Sequence, residues 1–437
     1  MAAEGQEDAS LRRINTNFLK LLRGRGLGAV LTVSATALAA RTLPATDFGL
    51  VVLIHGYLLV MHGLFKLKPG DAVVHYGVPA QEMGDDAGLL QMLRMTLALD
   101  LATAAASVVI AVALVPLLGP YLQWETATRD FVQCYSLLLV AGIGGTPGGI
   151  LRLFNRYDLL AWRQVAGPAV LLTGISLAAL FEQGVTAYAA AFGASWLVRH
   201  LYVTAQGLRV LRHHIPGALA PGPLYSDLQR RFPGFWRFIH VIYWQSNLDL
   251  VPKHISVLLV GFMLGPTEAG LFRLAERFSK LLAVPALLLR QVLFPDLARL
   301  WHHAAPSFGR VVARTLGTAL AFGLGVALLM RVIGGPLLEA AVGSEYLAAA
   351  PVLAWLMLAA GLELGVSTVR AAAYAQGLAG RVLRYYALSL GLYLMVLLAM
   401  TPLTGLTAAG MAAAAAALAN LAAISWRVRR RIAQAPG

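Results

Sequence analysis

Apolar runs of about twenty residues, divided by short polar stretches rich in Arg, Lys, Gly and Pro, recur along the chain. A helix needs about 20 mainly apolar residues to cross roughly 30 Å of hydrocarbon. By that measure the pattern predicts twelve membrane helices. They fall at 22–42, 47–67, 95–118, 131–152, 159–181, 184–208, 236–264, 268–292, 312–333, 348–369, 382–402 and 405–426. The run Phe131–Leu151 holds no charge. Nor does Tyr385–Trp426, which at 1.5 Å per residue would extend about 63 Å, twice the bilayer. A turn must interrupt it, and "TPLTG" (Thr401–Gly405) supplies the proline and glycine.

One turn is written twice. "LPATDFGL" (Leu43–Leu50) returns as "LGPTEAGL" (Leu264–Leu271), with Leu43, Thr46, Gly49 and Leu50 matched by Leu264, Thr267, Gly270 and Leu271. Each copy ends one predicted span and begins the next, and its threonine is placed to cap the incoming helix. Asp47 or Glu268 stands on the positive end of that helix. Six spans separate the copies. Six is even, so two six-helix halves with the same orientation are predicted, the plan of alternating-access carriers. The predicted parts are a cytoplasmic segment 1–21, halves 22–208 and 234–426, a linker 209–233 and a basic tail 427–437. Basic residues before the first span, with "ALA" at Ala37–Ala39, also look like a cleavable signal. Because this segment belongs to the repeated unit, it is expected to remain as the first span.

Composition agrees with a membrane solvent: 58% of the 437 residues are hydrophobic and only 13% charged. The net charge of +14 is explained by topology. With a cytoplasmic N-terminus, most Lys and Arg fall on the cytoplasmic side, including the tail Arg427, Arg429, Arg430 and Arg431. No nucleic-acid partner is needed to account for it. The lone Cys134 lies in an apolar run, excludes an internal disulfide and reads as a small buried hydrophobe.

Charges within spans are costly and therefore informative. The seventh and eighth spans carry Asn247, Asp249, Lys253, Arg273, Glu276, Arg277 and Lys280, whereas the matching positions of the first half are nearly neutral. Asp249 with Lys253, and Glu276 with Lys280, stand four apart on one helix face. Arg273 and Arg277 have no obvious intrahelical acid. Three readings stay open: these groups pair across helices, the cations face a wet cleft and hold an anion, or they snorkel from the outer end of the helix. Trp244 and Gln245 lie deep enough to stack on a sugar. Asp249, Glu276 and Glu363 are the acids available to a coupling ion (H+ or Na+) or to charge pairing. His55 and His62 are expected to pack or bond between helices.

Motifs for chemistry are missing. The chain has no GxxxxGK[ST] phosphate loop, no HExxH, no GxSxG and no Cys/His cluster. It is expected not to be an enzyme, with no cofactor and no metal site.

Several stretches resemble bacterial polysaccharide (O-antigen) flippases. "LAARTLPATDFGLVVL" is similar to their first turn, although Pro44 stands where the family often has glycine. "NLDLVPKHISVLLVGFMLGPTEAGLFRLAERF" is similar to their seventh and eighth helices through Asp249, Leu264, Gly265, Gly270, Phe272 and Ala275. "FPDLARL" and, through Gly343, Tyr346 and Ala349, "VGSEYLAAAPVLAWL" resemble later family segments. The Ala-rich final helix is a departure. The resemblance implies an all-α carrier that moves an undecaprenyl-diphosphate-linked oligosaccharide across the bacterial inner membrane for lipopolysaccharide or exopolysaccharide assembly. Its partners would be membrane lipid, the lipid-linked glycan and the polysaccharide polymerase or export machinery, and a monomer suffices. Arg273, Arg277, Lys253 and Lys280 would bind the diphosphate, with Asn247, Gln245 and Trp244 beside the sugar. The alternative is a drug/cation antiporter of the same superfamily. That alternative calls for a carboxylate in the first helix, and residues 22–40 contain none. Lipid II flippases, also of this superfamily, usually carry two further helices.

Overall fold

In the computed structural model, residues 2–215, 228–248, 250, 254–280, 297, 300–301 and 307–434 are described; for 2–20, 22, 228–229, 245 and 248 this covers the backbone alone. Every regular element among them is a helix. Eight are long and apolar enough to cross a membrane: Ala45–Phe65, Asp86–Leu118, Thr126–Leu153, Tyr157–Leu180, Ser307–Val342, Ser344–Ala375, Ala379–Thr404 and Thr407–Ala433. The other four predicted spans have recognisable counterparts. Residues 22–42 end the Ala2–Thr42 helix, and 184–208 form most of Val185–His214. The seventh is described over Phe235–Leu248 and Ser256–Leu264, and the eighth begins as Pro266–Ser279 before leaving the described residues.

The chain divides into two compact units, 1–39 with 53–255 and 40–52 with 256–437. In the first, small residues let helices approach backbone to backbone, as lipid-embedded packing requires. A Cβ on Gly24 would lie 2.7 Å from the Ala161 carbonyl oxygen, so the first helix rests directly on Tyr157–Leu180. Ser195 donates to the Gly167 carbonyl (2.7 Å) and ties Val185–His214 to the same helix. Hydroxyls that would find no water in lipid bond their own helix: Thr32 donates to Gly28 O and Thr36 to Thr32 O, both at 2.7 Å.

The fourth predicted span is broken. Thr126–Ser136 passes into a 3₁₀ turn, Leu137–Gly142, and a new helix starts at Gly145. Glycines at 142, 144 and 145, together with Pro147, account for the interruption. Cys134, expected to be buried, is exposed on Thr126–Ser136 because it falls on the outward side of that short helix.

In the second unit Ser307–Val342 and Ala350–Ala375 cross at Gly323 and Gly361, where either added Cβ would lie 2.6 Å from the other's carbonyl oxygen. The Ala-rich final helix buries Ala408, Ala409, Ala412, Ala414 and Ala417. It also joins its neighbour through a bond from the Asn420 amide to Ser389 Oγ (2.8 Å). The two copies of the repeated turn also meet inside this unit. Thr46 and Thr267 face each other with hydroxyl oxygens 3.2 Å apart. A Cβ on Gly270 would lie 3.0 Å from Gly49 Cα, and one on Gly49 would collide with the Pro266 carbonyl. Thr267 is therefore no cap: Gly265 holds that position at φ 101°, a backbone shape suited to glycine and closed to the Pro44 of the first copy.

Candidate anion-binding site

Among the described residues of the eighth span, Glu276 is already engaged by two cations. Arg273 donates to one Glu276 oxygen at 2.7 Å and Lys280 to the other at 2.5 Å. Arg273 and Glu276 are 8% and 6% exposed, so the carboxylate neutralises one cation away from water, while Lys280 reaches it from an exposed position. The expectation that Arg273 lacks an intrahelical acid is corrected: one helical turn, three residues, brings Glu276 beneath it. Arg277 lies half-buried on the same helix. Glu363 pairs with Arg370 at 2.6 Å. Trp244 is exposed and donates to His240 Nε2 (3.0 Å), while Asn247 keeps a buried Oδ1 without a partner among the described residues. Asp249, Lys253 and the side chain of Gln245 lie outside the described residues.

A different cationic site appears in the first unit. A cavity of about 290 Å³ is lined by Arg25, Lys66, Lys68, Arg152 and Arg163, with Gly144, Gly145 and Gly148 on one wall and Asp71 as the acid. Asp71 is engaged by Arg152 at 2.8 Å. Four cations thus face the cavity beyond that pair. Arg163 and the adjoining Arg199 each keep a buried Nε without a hydrogen-bond partner among the described residues. A guanidinium held this way has its directional donors to spare, and phosphate oxygens match that fork.

Local structure explains how these groups converge. Lys66 lies one residue beyond the Ala45–Phe65 helix. Lys68 sits at φ 53°, turning the chain into Pro69–Glu82. That helix rests on Gly145–Leu153 at Gly70 and Gly149, with a Cβ on Gly149 falling 2.7 Å from the Gly70 oxygen. Asp100 accepts the Thr146 N–H at 2.6 Å and so completes the start of the broken helix. Gly145 must be small there, since its Cβ would lie 2.6 Å from the carboxylate. Behind the cavity His62 stands 3.4 Å from the Lys66 ammonium and packs edge-on against Trp196 and His200. His55 bonds Tyr135 at 2.9 Å, so both histidines pack between helices. Burial lowers Lys66 from its usual 10.5 to about 8; the positive Arg163 adds to this and Asp100 opposes it.

No protein-family model matches the chain. It is 28% identical over 351 residues to the Escherichia coli K12 inner membrane protein YghQ, spanning 78% of this chain and 96% of that protein. It superposes on an inward-facing multidrug resistance MATE family transporter of the MOP superfamily with a TM-score of 0.71. The identity is 14%, and the match covers 93% of this chain and 94% of the other. On the lipid II flippase MurJ, in an inward closed conformation, the TM-score is 0.73 at 13% identity, covering 93% and 86%. The fold is that of these carriers. The chain is a multi-pass, all-helical membrane protein with a transporter architecture.

The first-unit cavity escapes a reading made span by span. Arg163 and Arg199 lie inside predicted spans 159–181 and 184–208, where an intramembrane cation marks a site, and that signal was available. Lys66, Lys68 and Arg152 look like ordinary cytoplasmic-loop charges until the broken helix brings them together. The near-neutral reading holds only for the first-half positions that match the charged ones of the seventh and eighth spans; Arg25 and Lys66 lie in the same two spans.

Proposed function

We propose that the chain is a flippase for an undecaprenyl-diphosphate-linked oligosaccharide, exposing one anion site alternately to the two faces of the inner membrane for lipopolysaccharide or exopolysaccharide assembly. The observation that carries this reading is Arg163, half-buried, with an Nε that has no partner among the described residues, on the wall of a cavity already holding Arg25, Lys66 and Lys68. The cost of keeping such charges from water is offset when a polyanion arrives. The diphosphate occupies this cavity, the glycan extends into the water-accessible path, and the polyprenyl chain stays in lipid. Both termini are cytoplasmic in this arrangement, and the protein acts as a monomer. Arg273 and Lys280, held by Glu276, keep a structural role, while Arg277 adds positive potential. A cation antiporter fits less well, because a cavity with this charge repels its cargo.

The test is accumulation of lipid-linked oligosaccharide on the cytoplasmic face of cells depending on this protein. Arg163→Gln and Lys66→Met are each expected to lower export about tenfold or more, the loss of one charge-assisted phosphate contact. Full export by the double variant, at normal membrane abundance, would overturn the reading.

A further inference from the structure

A second cavity, of about 650 Å³, opens in the second unit between Ser307–Val342 and Ala350–Ala375. Its walls are apolar: Leu324, Leu328, Ala354, Trp355 and Leu358 line it, and Leu328 is 70% exposed. Its one charged wall residue is Arg331, which is exposed and has no hydrogen bond or ion pair with any described residue. No residue between Arg314 and Arg331 is charged, and the helix sets them about 25 Å apart, close to the hydrocarbon thickness. Arg331 thus stands at headgroup level while the groove runs into the acyl region beside it. An arginine at that depth with a smooth helix face would simply reach for water. Here it stands over an acyl-sized trough floored by Trp355.

We propose that this groove binds an anionic membrane phospholipid, with one acyl chain along Leu324, Leu328 and Trp355 and the phosphate on Arg331. Charge complementarity decides the class: a zwitterionic lipid gains nothing net from an unneutralised guanidinium, whereas an anionic one gains about 1 kcal/mol. Trp355 supplies a local probe. In vesicles containing either bromine-labelled phosphatidylglycerol or bromine-labelled phosphatidylcholine, the Trp355 signal is the fluorescence of the native protein minus that of Trp355→Phe. It is expected to report about fivefold tighter association with the anionic lipid, the ratio that such an attraction gives. Arg331→Gln should abolish the preference, Arg331→Lys should keep it, and Ala354→Phe should reduce quenching by both lipids. Equal quenching in the native protein, or a preference that survives Arg331→Gln, would overturn the proposal. Displacement of the brominated lipid by an equimolar amount of undecaprenyl phosphate would also overturn it, because the occupant would then be a polyprenyl chain. Melting temperature checks each variant's fold, and the lysine variant decides the question if the glutamine variant is unstable.

Discussion

Arg273 and Glu276 are joined at 2.7 Å in surroundings that leave each less than a tenth exposed, and Lys280 reaches the same carboxylate one turn later. One acid therefore keeps the buried Arg273 from standing uncompensated away from water and also engages the exposed Lys280.

Removal of that acid is expected to destabilise the fold strongly. Glu276→Gln should cost about 3–5 kcal/mol, the range for breaking one side of a buried pair. Arg273→Leu alone should also destabilise, and the double variant should cost less than the two singles summed. Thermal melts of the four purified proteins in one detergent measure the coupling. Strict additivity would mean that the bond contributes nothing.

At the crossing of the repeated turns, Gly49→Ala places a methyl group against the Pro266 carbonyl. Overpacking against backbone should cost about 1–3 kcal/mol. Gly26→Ala, whose Cβ would meet nothing within 4 Å, is the matched control and should be neutral or slightly stabilising. The comparison is read as melting temperature and as membrane abundance.

Lys66 gives a pH signature of two opposite signs. Its ammonium titrates near 10.5 in the unfolded chain and near 8 in the fold. Between those values the unfolded chain binds more protons, so this group's contribution to stability rises with pH. Affinity for a phosphate falls across the same interval, because the attracting charge leaves. Arg163, Lys68 and Arg199 favour the neutral amine, and Asp100 favours the charged one. Titration calorimetry with pyrophosphate should show about tenfold weaker binding at pH 9.5 than at pH 7. Lys66→Arg should flatten that dependence. A flat profile in the native protein would remove Lys66 from the site.

Much of this architecture is legible one residue at a time, because lipid forces apolar runs to be long and turns to be marked. The Tyr385–Trp426 stretch shows this: its predicted break is found where Gly405 follows the Ala379–Thr404 helix. What is not legible needs two distant segments at once. Arg163 alone marks a site, but its cationic company forms only where the break before Gly145 carries Arg152 towards Lys66 and Lys68. The Arg273–Glu276 bond fails to stand out for the opposite reason, since three-residue spacing also occurs between groups that never meet. The repeated turn was visible as an echo, but its threonines looked like caps until their hydroxyls proved to face each other.

The glycine crossing also constrains what either copy of the repeated turn can carry. At this crossing each copy of the turn is the wall against which the other is pressed. A methyl group on either glycine would crowd the other copy, so a change in one turn is felt directly in its twin.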